Sequence, residues 1–276
     1  MTVGRALADM TERLSAAGCE SPGVDAEILL AHVVGVTRSQ LALESSRKLA
    51  KGEKRSLELL VARREAREPL AYVLGEWGFR RLTLAVDRRV LVPRPETEVV
   101  VERCLARLGG FEAPRVLDVG TGSGAIALAI ADEHPGARVV GVDASPAALE
   151  VAGANAVRCG LAIELREWDL FRGLPDGPWD LVVSNPPYVQ PAEIDSLEPE
   201  VRDWEPRHAL VSVGATEAVA RGALAVLGPG GVLVLEIGAG DRVRVSALLN
   251  ELGYAEVATT RDLAGRDRVV EAVRTA

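Results

Sequence analysis

Cysteine is scarce in this chain and no long apolar run occurs, and each absence excludes a class of protein. The 276 residues include only Cys19, Cys104 and Cys159, which are far apart and form no Cys-x-x-Cys pair. This pattern predicts neither a disulfide framework nor a metal site, and the expected location is a reducing cytoplasm. No apolar stretch approaches the roughly 18 residues of a membrane span, and charges interrupt the N-terminal residues, so we expect no span and no signal peptide.

Excess positive charge is also absent from the chain as a whole. The net charge of −8 argues against an extended, non-specific grip on DNA, which needs a basic footprint. The segment from Arg47 to Arg94 is the exception, since it holds 13 Lys or Arg against six Asp or Glu. Two interpretations stay open for it: a surface for an acidic macromolecular partner, or a solvated helix face.

The hydrophobic pattern predicts three regions. Residues 1–75 show helical spacing throughout and indicate a small helical domain. Residues 76–95 alternate and predict a β-hairpin linker, with Asp87 near its turn. Residues 96–276 alternate between strands and helices, which is typical of an α/β domain with a mostly parallel sheet covered by helices on both faces.

A glycine-rich loop lies between the first strand and helix of the α/β region, in "DVGTGSGAIALAIA". Gly120, Gly122 and Gly124 allow a tight turn and a close approach of backbone amides to a ligand. The next strand ends in Asp143, where a carboxylate can accept hydrogen bonds from both hydroxyls of a ribose. The alternative is a flexible loop with an acid that caps Ser145. The loop and acid together favour a nucleoside-containing ligand, either a dinucleotide or S-adenosylmethionine.

The run from Asp118 to Gly124 resembles the cofactor loop of class I S-adenosylmethionine-dependent methyltransferases. The resemblance implies a Rossmann-like sheet of seven strands, with S-adenosylmethionine as methyl donor and S-adenosylhomocysteine as product. Trp168 would suit stacking on the cofactor, unless strand alternation turns its side chain away. The implied cofactor-binding residues are Gly120, Thr121, Gly122, Ser123, Gly124, Asp143, Asp169, Leu170 and Asn185.

The segment "LVVSNPPYVQ" ends the strand that is expected to lie beside the first strand, so that Asn185 faces the ligand of the glycine loop. The Asn185 side-chain oxygen and the Pro186 carbonyl can accept both N–H groups of a planar NH2 group and stabilise charge that develops on its nitrogen. Tyr188 offers a flat face, and Pro187 completes a substrate-binding set of four residues. The catalytic candidates are therefore Asn185, Pro186 and Tyr188; the alternative is a strand-ending turn with Asn185 as a local cap.

Adenine, cytosine and glutamine all present a planar NH2 group, and the rest of the chain discriminates among them. An enzyme that acts on a base within DNA must extrude that base, and neither a basic cleft nor a base-reading domain is evident. The segments "PRPETE", "NPPYV", "EPRHALVSVG", "LVLEIG" and "RDLAGRDRVV" occur in this order after the helical region. Together they resemble the PrmC/HemK family of protein-(glutamine-N(5)) methyltransferases.

This resemblance implies that the substrate is the glutamine of the Gly-Gly-Gln motif in class-1 peptide chain release factors. It also implies a monomer whose N-terminal helical domain helps to grip the release factor, with no stable nucleic-acid partner and no membrane. A glutamine of a ribosomal protein, and an adenine or cytosine amino group of nucleic acid, stay open as alternative acceptors. Thr97 and Glu236 are pocket residues in this interpretation; otherwise Thr97 caps a helix and Glu236 pairs with an arginine.

Overall fold

The computed structural model describes residues 1–275 and contains two compact units. The first unit, which we call the helical unit, comprises Met1–Glu76 and Leu197–Trp204. The second, the sheet unit, comprises Trp77–Ser196 and the described residues from Glu205 onward. The return of Leu197–Trp204 to the helical unit is a long-range event that no local sequence pattern indicates.

Helices account for much of the described chain. The α-helices, in chain order, are α1 Val3–Ala16, α2 Pro22–Val34, α3 Arg38–Leu41, α4 Lys51–Glu65, α5 Leu70–Leu74, α6 Pro95–Leu108, α7 Ala125–Glu133, α8 Pro146–Cys159, α9 Pro199–Arg202, α10 Arg207–Leu210, α11 Ala215–Val226 and α12 Arg242–Glu251. Short 3-10 helices cover Ala42–Glu44, Leu170–Arg172 and Pro191–Ser196. Among residues 1–275, no helix is long and apolar enough to cross a membrane.

The strands form two sheets. They are β1 Glu76–Phe79, β2 Leu82–Ala85, β3 Arg115–Val119, β4 Arg138–Asp143, β5 Glu164–Glu167, β6 Trp179–Ser184, β7 Leu227–Glu236, β8 Tyr254–Arg261 and β9 Asp267–Arg274. β1 and β2 pair with each other, and the other seven form one sheet in the order β5-β4-β3-β6-β7-β9-β8. The pairs among β3 to β7 are parallel, whereas β9 is antiparallel to both β7 and β8.

The seven-stranded sheet confirms the expected α/β class. Strand side chains alternate between two apolar layers, so Val116 packs into one layer and its neighbour Leu117 into the other. The layer that contains Val116 is covered by α6 and α7, and the layer that contains Leu117 is covered by α11 and α12. β3 lies between β4 and β6, as expected, so the loops after all three strands meet at the carboxyl edge of the sheet.

The hairpin differs from the sequence expectation in the position of its turn. Arg80 lies between β1 and β2 with a φ of 50°, whereas Asp87 follows β2 and accepts a hydrogen bond from the Arg89 amide. The expectation that Asp87 is near the turn was therefore wrong. Arg80 adopts an uncommon left-handed conformation because its amide donates to Glu98 and its guanidinium bonds Glu133. These tertiary contacts are invisible to local turn preferences.

The helical unit is centred on an apolar core of Leu14, Leu29, Leu30, Leu57 and Val61. The apolar periodicity that runs from Ser56 to Gly75 does not form one helix, because α4 ends at Glu65 and α5 begins after Pro69. Arg67, between them, has a φ of 62°, and Pro69 lacks the N–H that would continue the helix. The periodicity predicted helix correctly and missed the break.

Candidate active site

The glycine loop follows β3, and hydrogen bonds to buried groups of β3 and β4 fix its position. The amides of Gly120 and Thr121 both donate to the Val142 carbonyl, at 2.8 and 3.0 Å. The Thr121 hydroxyl donates to the fully buried Asp118 carboxylate at 2.7 Å, and burial raises the pKa of Asp118 to about 7. These bonds use β3 and β4 as a rigid support for the loop.

All three glycines of the loop have a positive φ, and the backbone at two of them is open to a ligand. Gly120 and Gly122 have φ values of 74° and 55°, a region that side chains rarely adopt. A Cβ built at either glycine has no heavy atom within 4 Å, so the backbone there faces open space. A ligand can therefore approach the loop backbone closely.

Asp143 ends β4 and connects the glycine loop to the next helix. Its Oδ2 accepts the Gly122 amide and its Oδ1 accepts the Ser145 amide, both at 2.9 Å. Asp143 therefore makes the expected local contact with Ser145 and also holds the glycine loop through Gly122. A carboxylate offers about four lone-pair sites, so both oxygens can still accept hydroxyl groups.

A cavity of about 310 Å3 lies in the sheet unit and joins the glycine loop to the end of β6. It has the size of a small-molecule site. The predicted residues that line it are Gly120, Thr121, Gly122, Ser123, Asp143, Asp169, Leu170, Asn185 and Pro187. Gly124, Pro186 and Tyr188 lie next to these residues in the chain and are not part of the lining.

The cavity suits a ligand with an apolar ring system, hydroxyl groups and a polar end. Trp168 and Leu170 supply apolar surface, and the Trp168 indole N–H is bound to the Gly173 carbonyl, which fixes the ring. Asp143 supplies acceptors at the end of β4. These groups fit the adenine, ribose and amino-acid parts of S-adenosylmethionine.

A hydrogen-bonded chain of side chains lies behind Asn185. The Asn185 Nδ2 donates to the Thr97 hydroxyl at 3.3 Å, and that hydroxyl donates to Oε2 of Glu236 at 2.7 Å. The Tyr188 hydroxyl donates to Oε1 of the same carboxylate at 3.4 Å. Upstream, the Ser184 hydroxyl donates to the Val119 carbonyl at 2.7 Å and joins β6 to β3. The end of β6 is therefore fixed from both sides.

Burial controls the ionisation of Glu236 and Tyr188, the two titratable groups behind Asn185. Glu236 is 1% exposed, and burial raises its pKa to about 7, against the hydrogen bond from Thr97 and the charge of Arg268, which lower it. Burial and the nearby Glu236 carboxylate raise the pKa of Tyr188 to about 12. Tyr188 therefore keeps its proton and donates at neutral pH.

Thr97 was open to two interpretations, and the structure favours the pocket, because Thr97 lines the cavity and is not the cap of a helix. It is the third residue of α6, and its hydroxyl bonds Glu236 instead of the helix end. Glu236 accepts from two hydroxyls, and Arg268 acts on it through charge while its own guanidinium bonds the Ile237 carbonyl and Asp262.

Sequence reasoning missed two further segments that line the cavity. Residues 89–94 and 208–212 contribute to it, and the buried Glu205 joins them by accepting the Val92 amide at 3.2 Å and the Arg94 guanidinium at 2.6 Å. The segment "EPRHALVSVG" carried the available signal, since Glu205 and His208 lie in it. Periodicity could not reveal that such distant segments meet.

Comparisons with known proteins agree with the geometry. Residues 5–75 match the family model described as PrmC N-terminal domain, and residues 97–260 match the Methyltransferase small domain. The chain is 40% identical to a release factor glutamine methyltransferase of Caulobacter vibrioides over 280 residues, which cover 99% of this chain and 97% of that protein. It is 42% identical to a protein of the same name from Deinococcus radiodurans, over 97% of each chain.

Solved structures are similar in fold. A 16S rRNA N2 G1207 methyltransferase of Thermus thermophilus matches with a TM-score of 0.54 and 22% identity, over 72% of this chain and 49% of that one. A methyltransferase of Pyrococcus furiosus matches with a TM-score of 0.51 and 16% identity, over 81% and 99% of the two chains.

The parallel sheet, the glycine loop at its carboxyl edge and the cavity beside it define a class I S-adenosylmethionine-dependent methyltransferase. The chain covers nearly the full length of its relatives at about 40% identity. It belongs to the PrmC/HemK family of release factor glutamine methyltransferases.

Proposed function

We propose that this enzyme transfers a methyl group from S-adenosylmethionine to the side-chain amide nitrogen of the glutamine in the Gly-Gly-Gln motif of class-1 peptide chain release factors. The observation that carries the proposal is the position of Asn185, which follows β6 and lines the same cavity as the glycine loop. Its place in an Asn-Pro-Pro-Tyr segment and the name shared by the relatives support a glutamine as the acceptor.

The cofactor is assigned to the cavity residues of the sheet unit. Gly120 and Gly122 present open backbone toward the amino-acid part, and Asp143 has acceptor sites left for the ribose hydroxyls. Asp169 and Leu170 line the wall that would receive the adenine. Thr121, Ser123 and Gly124 complete the loop and set its shape.

S-adenosylmethionine supplies a methyl group on a sulfonium sulfur. With the cofactor bound in this cavity, the glutamine nitrogen would take that methyl group, so that a C–N bond would form as the C–S bond broke, and S-adenosylhomocysteine would be the leaving group. An amide nitrogen is a weak nucleophile because its lone pair is delocalised, and its orientation therefore matters. The Asn185 Oδ1 accepts one of its N–H groups and the Pro186 carbonyl accepts the other.

Both acceptors stabilise the transition state in the same way. Positive charge develops on the nitrogen as the new bond forms, and fixed carbonyl dipoles favour that charge. Pro186 is buried, and no donor among the described residues hydrogen-bonds to its carbonyl oxygen. Neither oxygen is a base, so the surplus proton of the methylated nitrogen passes to solvent.

Tyr188 and Pro187 shape the acceptor side. The hydrogen bond from Tyr188 to Glu236 restrains the aromatic ring, whose face is assigned to the planar glutamine amide. Pro187 contributes rigid lining to the cavity. The acceptor site proposed here therefore combines restrained side chains with a fixed backbone carbonyl.

We assign a separate role to each of the three segments of the chain. We assign residues 1–75 to recognition of the folded release factor, residues 76–95 to the linker and residues 96–276 to catalysis. The basic charge between Arg47 and Arg94 supports an acidic protein partner. Within the chain, carboxylates already pair with eight of these residues, which are Arg47, Arg63, Arg64, Arg67, Arg80, Arg81, Arg89 and Arg94. The proposal includes a monomeric enzyme that acts in the cytoplasm without a stable nucleic-acid partner, and sedimentation of the purified protein tests the monomer.

Mass spectrometry of a class-1 release factor incubated with the enzyme and S-adenosylmethionine tests the function. The expected result is a gain of about 14 Da on the Gly-Gly-Gln peptide, the mass that one methyl group adds. The same reaction with ribosomal proteins, and with nucleic acid treated with protease, tests the alternative acceptors. Label in either of these, with none on the release factor, would overturn the proposal.

A further inference from the structure

The orientation of the Asn185 amide is the feature on which the proposed chemistry depends. Asn185 can assist transfer only if its oxygen, and not its NH2 group, faces the substrate. The two ends of an amide have nearly the same shape, so packing alone selects poorly between them. Something else must fix the direction.

Two hydrogen bonds, from Asn185 to Thr97 and from Thr97 to Glu236, fix which end of the Asn185 amide faces the substrate. A hydroxyl has one hydrogen, and Thr97 gives its hydrogen to the Glu236 carboxylate at 2.7 Å. Only lone pairs of the Thr97 oxygen then face Asn185, so only the NH2 end of the amide can approach it. The observed 3.3 Å bond from Asn185 Nδ2 has this polarity and leaves Oδ1 directed away from Thr97.

We propose that Thr97 and Glu236 are positioning residues, which fix the Asn185 amide with its oxygen toward the acceptor nitrogen. The proposal rests on the function assigned above to Asn185. Above its pKa of about 7, Glu236 is ionised and can only accept hydrogen bonds, so it sets the direction of the hydrogen bonds from Thr97 and Tyr188. Thr97 transmits that polarity to Asn185.

Burial protects the hydrogen bonds of Thr97 and Glu236 from competition with water. Thr97 lines the cavity and is only 5% exposed, and Glu236 is 1% exposed, so little water reaches the hydroxyl or the carboxylate. Glu236 also accepts the Tyr188 hydroxyl at 3.4 Å. One carboxylate therefore restrains two residues of the Asn-Pro-Pro-Tyr segment, and it does so without lining the cavity itself.

Three threonine variants test the proposal. Thr97→Val keeps the shape and removes the hydroxyl, whereas Thr97→Ser keeps the hydroxyl. Thr216→Val is the matched control, because Thr216 is also buried, at 5% exposure, in the first turn of a helix and outside the cavity. The assay measures kcat and KM for a purified class-1 release factor, with the affinity for S-adenosylmethionine from calorimetry.

Thr97→Val is expected to lower kcat about 10-fold or more, with KM and cofactor affinity within about three-fold of the wild type, since the lost interaction acts in the transition state. Thr97→Ser and Thr216→Val are expected to stay within about two-fold of the wild-type kcat. Equal kcat values for Thr97→Val and the wild type would overturn the proposal. So would a Thr97→Ser variant as slow as Thr97→Val, or an equal loss in Thr216→Val.

Glu236→Gln is the second variant and decides the question if Thr97→Val does not fold. A glutamine can donate an N–H to Thr97, which frees the Thr97 hydrogen to bond Asn185 Oδ1 and reverse the amide. We expect a similar loss in kcat. The matched control is Glu271→Gln, because Glu271 is 1% exposed on the neighbouring strand and bonds Arg103 and Arg107 instead. A Glu236→Gln variant with normal kcat would overturn the proposal.

The wild-type enzyme separates the two proposals. Methylation of the release factor by the wild type, with unchanged kcat in Thr97→Val or in Glu236→Gln, refutes the positioning role alone. No methylation of the release factor by the wild type refutes the proposed function, and the positioning role with it.

Discussion

The Thr97 hydroxyl donates a hydrogen bond of 2.7 Å to Glu236, although 139 positions separate the two residues in the chain. Thr97 lies in the first turn of α6 and Glu236 ends β7, so the bond joins a helix start to the carboxyl edge of the sheet. Both side chains are buried. The pair therefore forms a buried polar support for Asn185, whose Nδ2 donates to the Thr97 hydroxyl.

Asn185→Ala is predicted to lower turnover about 100-fold or more, because it removes an acceptor that strengthens its bond as charge develops in the transition state. Binding of S-adenosylmethionine is expected to stay measurable, since the glycine loop and Asp143 are untouched. Single-turnover kinetics with a release factor, alongside calorimetry for the cofactor, measure the two effects. Turnover close to the wild-type value would remove Asn185 from the mechanism.

Asp143→Ala is predicted to weaken cofactor binding by about 10-fold or more, the effect of losing hydrogen bonds to a charged group. The carboxylate holds the Gly122 amide and has acceptor sites for a ribose. Asp180→Ala is the control, because Asp180 is also half-buried and accepts a backbone amide, that of Arg115, at 2.7 Å. Calorimetric titration should separate the variants, and equal affinities would contradict the assignment.

Glu236 is predicted to make stability depend on pH. Its pKa rises from 4.5 to about 7 in the folded protein, so the folded state holds a proton that the unfolded state has released. Its contribution to stability is therefore present below about pH 4.5 and is lost as the pH rises through 7. The charged groups that act on it are Arg268, which lowers the pKa, and Glu96, which raises it; the Tyr188 hydroxyl also bonds the carboxylate.

Comparison with Glu236→Gln isolates this contribution, because Asp118, whose pKa is also about 7, is present in both proteins. The unfolding free energy of the wild type relative to the variant should fall by on the order of 2 kcal/mol between pH 5 and 8. Unfolding of the sheet unit can be followed by hydrogen exchange at each pH. Parallel stability curves would contradict the prediction.

Arg64→Ala is predicted to destabilise the helical unit by about 3 kcal/mol, since it leaves the buried Asp25 carboxylate without its cation, whereas Glu200 keeps its ion pair with Arg67. Arg64 is 5% exposed and bonds Asp25 and Glu200, each at 2.8 Å. Arg38→Ala is the control, because Arg38 pairs with Glu27 on the surface and its loss should cost about 1 kcal/mol or less. Hydrogen exchange of α2 and α4 measures the difference, and equal protection in the two variants would exclude the buried cluster as a stabilising feature.

Much of the fold followed from local pattern. Apolar periodicity separated the helical region from the α/β region, and the order of strands and helices predicted β3 at the centre of a mostly parallel sheet. Local preference failed at Arg80 and Arg67, where the backbone is left-handed. It failed because the contacts that stabilise Arg80, to Glu98 and Glu133, lie far along the chain.

The candidate site likewise contains residues that local motifs predicted and residues that only distant contacts bring together. Glycines, an acid at a strand end and Asn-Pro-Pro-Tyr are short motifs whose chemistry is local, so the sequence indicated the cofactor loop and Asn185. Glu205, which joins residues 89–94 to the segment that follows it, has no local pattern. A buried carboxylate and an exposed one look alike in a sequence, because burial is a property of the packed chain.

The sequence by itself therefore determined the class of fold and the family, and it predicted candidate residues for binding and catalysis, since periodicity and short motifs depend on neighbours along the chain. Only the tertiary structure decided which groups meet: Thr97 with Glu236, and Asn185 with Thr97. Hydrogen-bond polarity and a raised pKa arise from proximity and from the exclusion of water. Both require the chain to be packed before they exist.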